Sequence, residues 1–214
     1  MGKYKYLFYD FDGTIANSYE GVYEGMKQVF EHYKINVDKS LYTKYIGPPI
    51  NDTFASYLGS KEKGYEAAYL YRKYYNDQGL VLKTYAYDGI KETFKSLHEK
   101  GYKVCAATCK KQEEAEMLLK RFGCFEYMDF ISGLVYNVRE SKASIIQHAL
   151  DELKADIKDC VMIGDTKYDV EGAEAFNMDC ILCLWGFGEY DKINNKNVVY
   201  RAKNPYDVEK FIEE

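Results

Sequence analysis

A Rossmann-like α/β fold, a doubly wound parallel sheet with an inserted α-helical cap, is predicted by three features of this 214-residue chain. Short apolar strand-like runs alternate with amphipathic helical patterns, as right-handed crossovers covering both faces of a parallel sheet require. Two of those runs end in acidic, glycine-containing turns. One stretch, residues 17–82, breaks the alternation with helical patterns alone.

Taken in order, the first run is Tyr6-Leu7-Phe8-Tyr9, leading into Asp10. Helical patterns then cover about 17–34, 38–45, 49–58 and 62–77, and two prolines force a break at Ile46-Gly47-Pro48-Pro49. The alternation resumes with a helix from about Gly89 to Lys100 and a strand from Tyr102 to Ala107. Further strands follow at Phe130-Ile131, Cys160 to Ile163 and Cys180 to Leu184, with helices at about 111–122, 141–152, 168–176 and 205–213. Residues 1–16 and 83–214 therefore read as a core domain and 17–82 as a helical cap domain. An insertion after the first strand of such a sheet sits above the strands' carboxyl ends, where ligands bind.

Composition limits the alternatives. With 29 Lys+Arg against 34 Asp+Glu the formal charge is −5, which argues against a protein that coats a nucleic acid polymer. No apolar run approaches the ~18 residues of a membrane span or forms a signal peptide, so a cytoplasmic protein without membrane association is expected, as monomer or homodimer. The six cysteines then read as reduced thiols, and Cys105, Cys160, Cys180 and Cys183 as core residues. Cys180 and Cys183, three apart on a strand, point to opposite faces and do not form half a zinc site. The 23 tyrosines read as half-buried surface filler. His32, His98 and His148 fall on helices without partner spacing, as surface or boundary residues.

The chemistry concentrates at strand ends. In Asp10-Phe11-Asp12-Gly13-Thr14 two carboxylates project to one side, and Gly13 turns the backbone away while leaving its N–H open to an anion. One carboxylate can act as nucleophile and the other can shuttle a proton, although an Asx turn closing the strand is the plainer reading of this pattern alone. A second acidic pair, Asp165 and Asp169, begins at another strand end and falls four residues apart, so both can face one point. Unit charges ~4 Å apart repel by about 4 kcal/mol at an effective dielectric of 20, so four aspartates converging there need a cation. All-oxygen ligands beside a phosphate favour Mg²⁺. Thr108-Cys109-Lys110 offers a hydroxyl and backbone N–H groups ahead of a helix, suited to a phosphate oxygen, with a helix N-cap as the plainer role of Thr108. Ser141 is a plausible cap for the next helix, and Lys142, a cation in a helix's first turn, is either solvated or placed there for a purpose.

The order Asp10-Phe11-Asp12-Gly13-Thr14, Thr108, Lys142, Gly164-Asp165-x-x-x-Asp169 resembles the four motifs of the haloacid dehalogenase superfamily, and the helical insertion resembles its first cap class. Ile46-Gly47-Pro48-Pro49 is similar to a cap segment of its phosphoglycolate-phosphatase-like and 5′-nucleotidase-like members. The resemblance implies a phosphatase of small phosphorylated metabolites, with Asp10 attacking phosphorus and Asp12 protonating the leaving oxygen. It implies Thr108 and Lys142 as holders of the phosphoryl group. Mg²⁺ would be ligated by Asp10, the Asp12 carbonyl and Asp165, with Asp169 a ligand or support. Gly47, Pro48 and Thr14 to Tyr19 are the expected wall facing the leaving group. Asp12 and the complete second pair argue against a dehalogenase proper. A phosphomutase and a non-catalytic signalling protein are the alternatives.

The glycine-rich decoys fail. Gly59 to Gly64 has the spacing of a phosphate loop, but Tyr65 replaces the lysine that loop needs. Gly186-Phe187-Gly188 lacks the third glycine of a dinucleotide turn, since Asp191 stands there, and is expected to let the chain skirt the active site.

Overall fold

The computed structural model describes residues 2–214. Strand β1 is Tyr6–Tyr9, followed by the two-residue β2, Ala16–Asn17. The helical insertion comprises α1 (Tyr19–His32), α2 (Ile50–Leu58) and α3 (Lys61–Asp77). The chain returns through β3 (Tyr85–Ala86), α4 (Ile90–Glu99), β4 (Lys103–Lys111), α5 (Gln112–Phe122) and β5 (Phe130–Leu134). It ends with α6 (Lys142–Leu153), β6 (Cys160–Gly164), α7 (Lys167–Glu174), β7 (Asp179–Cys183), β8 (Val198–Ala202) and α8 (Pro205–Glu213).

The main sheet is parallel, in the order β5-β4-β1-β6-β7-β8, with β1 and its acidic turn between β4 and β6. Both faces are covered, which explains why the central strands are apolar at successive positions. Leu7, Tyr9, Val104, Val161 and Ile163 pack on one face with α4, α5 and α8, while Phe8, Cys105, Met162 and Leu182 pack on the other with α6 and α7. Cys180 and Cys183 fall on opposite faces, as their spacing predicts, and both are fully buried. β2 pairs antiparallel with β3, so the outgoing and returning ends of the helical insertion form one small ribbon beside the sheet.

Three expectations change. Residues 38–45 form a 3-10 helix over Lys39–Tyr45 rather than an α-helix, a short segment started by the Asp38 side chain and stopped before Pro48-Pro49. β8 lacks a counterpart among the expected strands because, as an edge strand with alternating half-exposed and exposed residues, it has no apolar run. The tyrosines are not all surface filler: Tyr42, Tyr71 and Tyr75 are buried in the helical insertion, where Phe30 packs edge-on against Tyr42, Phe54 and Tyr57. This aromatic cluster supplies the area that three short helices need for a core of their own. The Gly59 turn is a left-handed cap ending α2, and Ser60 caps α3, which accounts for the loop-like spacing there.

Candidate active site

The acidic turns meet because β1 and β6 are neighbours in the same register, with Tyr9 opposite Ile163, so Asp10 and Asp165 emerge close together. Asp10 is 3% exposed, and Asp165 and Asp169 are fully buried. Carboxylate oxygens of these three lie within 4.8 Å of one another. The Lys142 ammonium stands 2.8 Å from Asp10 Oδ1 and 2.8 Å from Asp169 Oδ1, and donates to the Ala107 carbonyl at 3.0 Å. Lys142 is therefore no solvated lysine. It opens α6 behind a Ser141–Ser144 capping box, and its stem lies against Gly172 of α7, where a Cβ would come within 2.4 Å of Lys142 Cγ.

Each carboxylate is fixed by its own partners. Asp165 accepts from the Thr14 hydroxyl at 3.1 Å and from the Phe187 amide at 2.7 Å. The Gly186-x-Gly188 loop thus does skirt the site, and Gly186 must be glycine because a Cβ would fall 2.3 Å from Asp165 Oδ2. Asp169 Oδ2 accepts from the Thr166 amide and hydroxyl, both at 2.9 Å, capping α7 and leaving Oδ1 toward Lys142. Burial, then repulsion from Asp169, pushes Asp10 up to about 7 against the pull of Lys142. Asp165 is raised well above the usual carboxylate range by burial, then by Asp169 and Asp10. Burial alone would lower Lys142, but Asp10 and Asp169 hold it above its ordinary value.

Three buried carboxylates sharing one ammonium carry uncompensated negative charge. That donor set, all oxygen and rigidly oriented, fits a hard divalent cation. The Asp12 side chain is not among these oxygens: it turns the other way to the Lys110 ammonium, 3.1 Å from its Oδ1.

Some expected details are corrected. The Gly13 amide is not open to an anion, because it donates to the Ala16 carbonyl at 2.8 Å and closes the turn. What glycine provides there is its φ of 89° and the absence of a Cβ that would sit 2.2 Å from Asp165 Oδ2. Thr108 lies ahead of α5 as expected but is not its N-cap: β4 runs on to Lys111, the N-cap residue, with an irregularity against β5, and the Thr108 hydroxyl accepts from the Lys110 amide at 3.1 Å. Its side chain is buried in the sheet beside Cys109, which opens onto the cavity; the dry surroundings push the Cys109 thiol up to about 12, so it remains protonated. Gly47 and Pro48 line that cavity with Asp12, whereas Thr14, Ile15 and Ala16 are buried under it and do not form its wall.

The cavity lies between the helical insertion and the strand ends, about 60 Å³ in volume, bounded by Asp12, Cys109, Lys110 and Lys111 below and by Ile46, Gly47, Pro48, Tyr71, Arg72 and Tyr75 above. Residues 7–183 match the haloacid dehalogenase-like hydrolases. The chain belongs to that family. Among relatives of this hydrolase, the tyrosine-protein kinase PtkA of Mycobacterium tuberculosis is 30% identical over 190 residues, 88% of this chain; the chain spans 65% of that protein's length. The 5′-nucleotidase of Pseudomonas aeruginosa is 28% identical over 194 residues, 89% of this chain and 87% of the relative. A predicted phosphatase from Clostridium acetobutylicum superposes with a TM-score of 0.92 at 30% identity, covering 98% of each chain.

Sequence reading of the hydrolase missed Lys110 as a site residue. The signal was present, since Lys110 stands two residues after Thr108 on the same strand and hence on the same side. Its ammonium contacts Asp12 from β4 and lies 3.4 Å from the Tyr75 hydroxyl of α3, joining the acidic turn to the helical insertion.

Proposed function

We propose that this hydrolase is a Mg²⁺-dependent phosphatase of small phosphorylated metabolites that works through an aspartyl-phosphate on Asp10. The observation that carries the reading is the division of labour between the two aspartates of one turn. Asp10 points into the carboxylate cluster against Lys142, while Asp12 points into the cavity against Lys110.

Asp10 attacks phosphorus as the bond to the leaving oxygen breaks, and Asp12 gives that oxygen a proton. Asp12 then takes a proton from water, which attacks phosphorus and releases Asp10 with inorganic phosphate. Lys142 holds a phosphoryl oxygen beside Asp10, with Thr108 and the Cys109 segment as the neighbouring wall. Asp10, the Asp12 carbonyl and Asp165 would hold Mg²⁺, with Asp169 as ligand or support, and the ion would neutralise charge on the transferring group. Residues 17–82 act as the cap over a core of 1–16 and 83–214, and the β2–β3 ribbon is where the two chain crossings are tied. Closure of this cap excludes water from the transfer. Phosphoglycolate and nucleoside 5′-monophosphates are the candidate substrates, and the setting is cytoplasmic.

The test is turnover of a phosphomonoester panel with Mg²⁺ or EDTA. Chelation should stop turnover. Mg²⁺ should also raise the Tm by roughly 5–10 °C when present at about a hundred times its Kd, and Asp165→Asn should abolish that rise. Metal-independent turnover would overturn the mechanism.

Lys110→Met should lower kcat about 10- to 100-fold with a smaller change in KM, because Asp12 loses the cation that orients it. Steady-state kinetics on a single substrate checks this, and a change confined to KM would refute the positioning role.

A further inference from the structure

Arg72, on helix α3 of the cap, lines the cavity that holds Asp12, with Glu114 as the nearest carboxylate influence on it but beyond ion-pair distance. Its Nε is buried without an acceptor, and no carboxylate lies within the 4.0 Å of an ion pair. The guanidinium instead lies 4.6 Å from the centre of the Tyr136 ring, which also carries the Lys111 ammonium at 5.7 Å. The Tyr136 hydroxyl is itself buried without a partner. Stacking on an aromatic face orients a guanidinium but leaves its N–H donors unsatisfied. A half-buried guanidinium with a buried, unsatisfied Nε is completed most favourably by an anion.

Two of the other charges lining the cavity are engaged elsewhere. Lys110 is paired with Asp12, and Glu114 accepts from Asn76 at 3.4 Å. Arg72 and Lys111 are two cations, neither at ion-pair distance from a carboxylate among the described residues, that face with Glu114 the space beyond Asp12, the side toward which the proposed leaving group would depart. A volume of about 60 Å³ suits a leaving group of a few atoms beside Asp12.

We propose that Arg72 is the specificity-determining residue of this enzyme, reading a second oxyanion, carboxylate or phosphate, carried by a small leaving group close to the transferred phosphoryl. The inference rests on the phosphatase reading above. It selects, among phosphomonoesters and phosphoanhydrides, those with two anionic ends. Arg suits this task better than Lys because its planar fork meets such a group with two parallel hydrogen bonds.

The experiment compares kcat/KM of the Mg²⁺-loaded wild type for phosphoglycolate, pyrophosphate and ethyl phosphate, the last keeping phosphoglycolate's two-carbon skeleton but lacking the second anion. At least one anion-bearing substrate should exceed ethyl phosphate by about 10- to 100-fold, the effect of a charge-assisted hydrogen-bond pair. Which of the two does so separates a carboxylate from a phosphate. In Arg72→Met that ratio should collapse toward one, and Arg72→Lys should retain part of it. If wild type turns over ethyl phosphate as well as both others, or if the ratio survives in Arg72→Met, the assignment is wrong, whether or not the enzyme is a phosphatase. The wild-type comparison decides even if the Met variant fails to fold. Absence of turnover on all three and on p-nitrophenyl phosphate would remove the phosphatase reading, and this inference with it.

Discussion

Asp10→Asn should abolish turnover, by at least about 10⁴-fold, because an amide in place of the proposed nucleophile cannot attack phosphorus. The same substitution should leave the fold intact and, without metal, make it more stable at neutral and higher pH. The reason lies in the sign of the titration. Asp10 is pushed up to about 7 in the folded chain, mainly by burial and then by Asp169, against about 3.9 in an unfolded one. The ionised carboxylate is thus a burden on the native state above pH 7. That burden is progressively relieved as pH falls from 7 toward 4, where the folded protein holds the proton more tightly than the unfolded chain. Melting curves in EDTA should show the Asn variant above wild type at pH 8 and the difference shrinking through that window. Substantial turnover by the variant, or a melting difference independent of pH, would contradict this account of the site. Such a trade of stability for function is common where charges are buried for catalysis.

Lys142→Met should have the largest effect on the fold. Asp10 and Asp169 would then be buried with no ammonium at 2.8 Å, and the Ala107 carbonyl would lose its donor at 3.0 Å. Breaking a buried ion pair from one side costs about 3–5 kcal/mol, which in a protein of this size lowers the Tm by roughly 6–20 °C. Mg²⁺ should recover part of that loss, since the carboxylates that lose the lysine remain available to the ion. Turnover should fall with it, by at least about 10³-fold, because Lys142 is also the residue proposed to hold a phosphoryl oxygen. Thermal unfolding with and without Mg²⁺, followed by kinetics on the refolded variant, separates the two contributions. A variant that melts within a couple of degrees of wild type would show that the lysine is not the counter-ion of this cluster.

Much of this arrangement is legible in the residue order. Asp10, Asp165 and Asp169 each follow an apolar run or open a helix, so adjacency of β1 and β6 is enough to bring them together. Ser141 and Lys142 are readable because a capping residue and a misplaced cation are local signals. Thr108 was harder. Its sequence context fits an N-cap, and only the continuation of β4 to Lys111 shows that the hydroxyl lies within a strand. Gly13 illustrates the same limit, since whether its amide is free depends on the carbonyl of Ala16 folding back upon it.

What the sequence determined by itself is therefore periodicity and punctuation: an alternating α/β core, a helical insertion after the first strand, and acidic turns at strand ends. Those follow from local rules of backbone geometry and burial that act within a few residues. The tertiary structure alone decided how charges pair. Lys110 meets Asp12 across 98 positions, and Arg72 reaches the Asp12 cavity from a helix that local rules describe only as amphipathic. Coulombic partnership depends on distance through space and on how much water is excluded, and neither quantity is carried by any short stretch of chain.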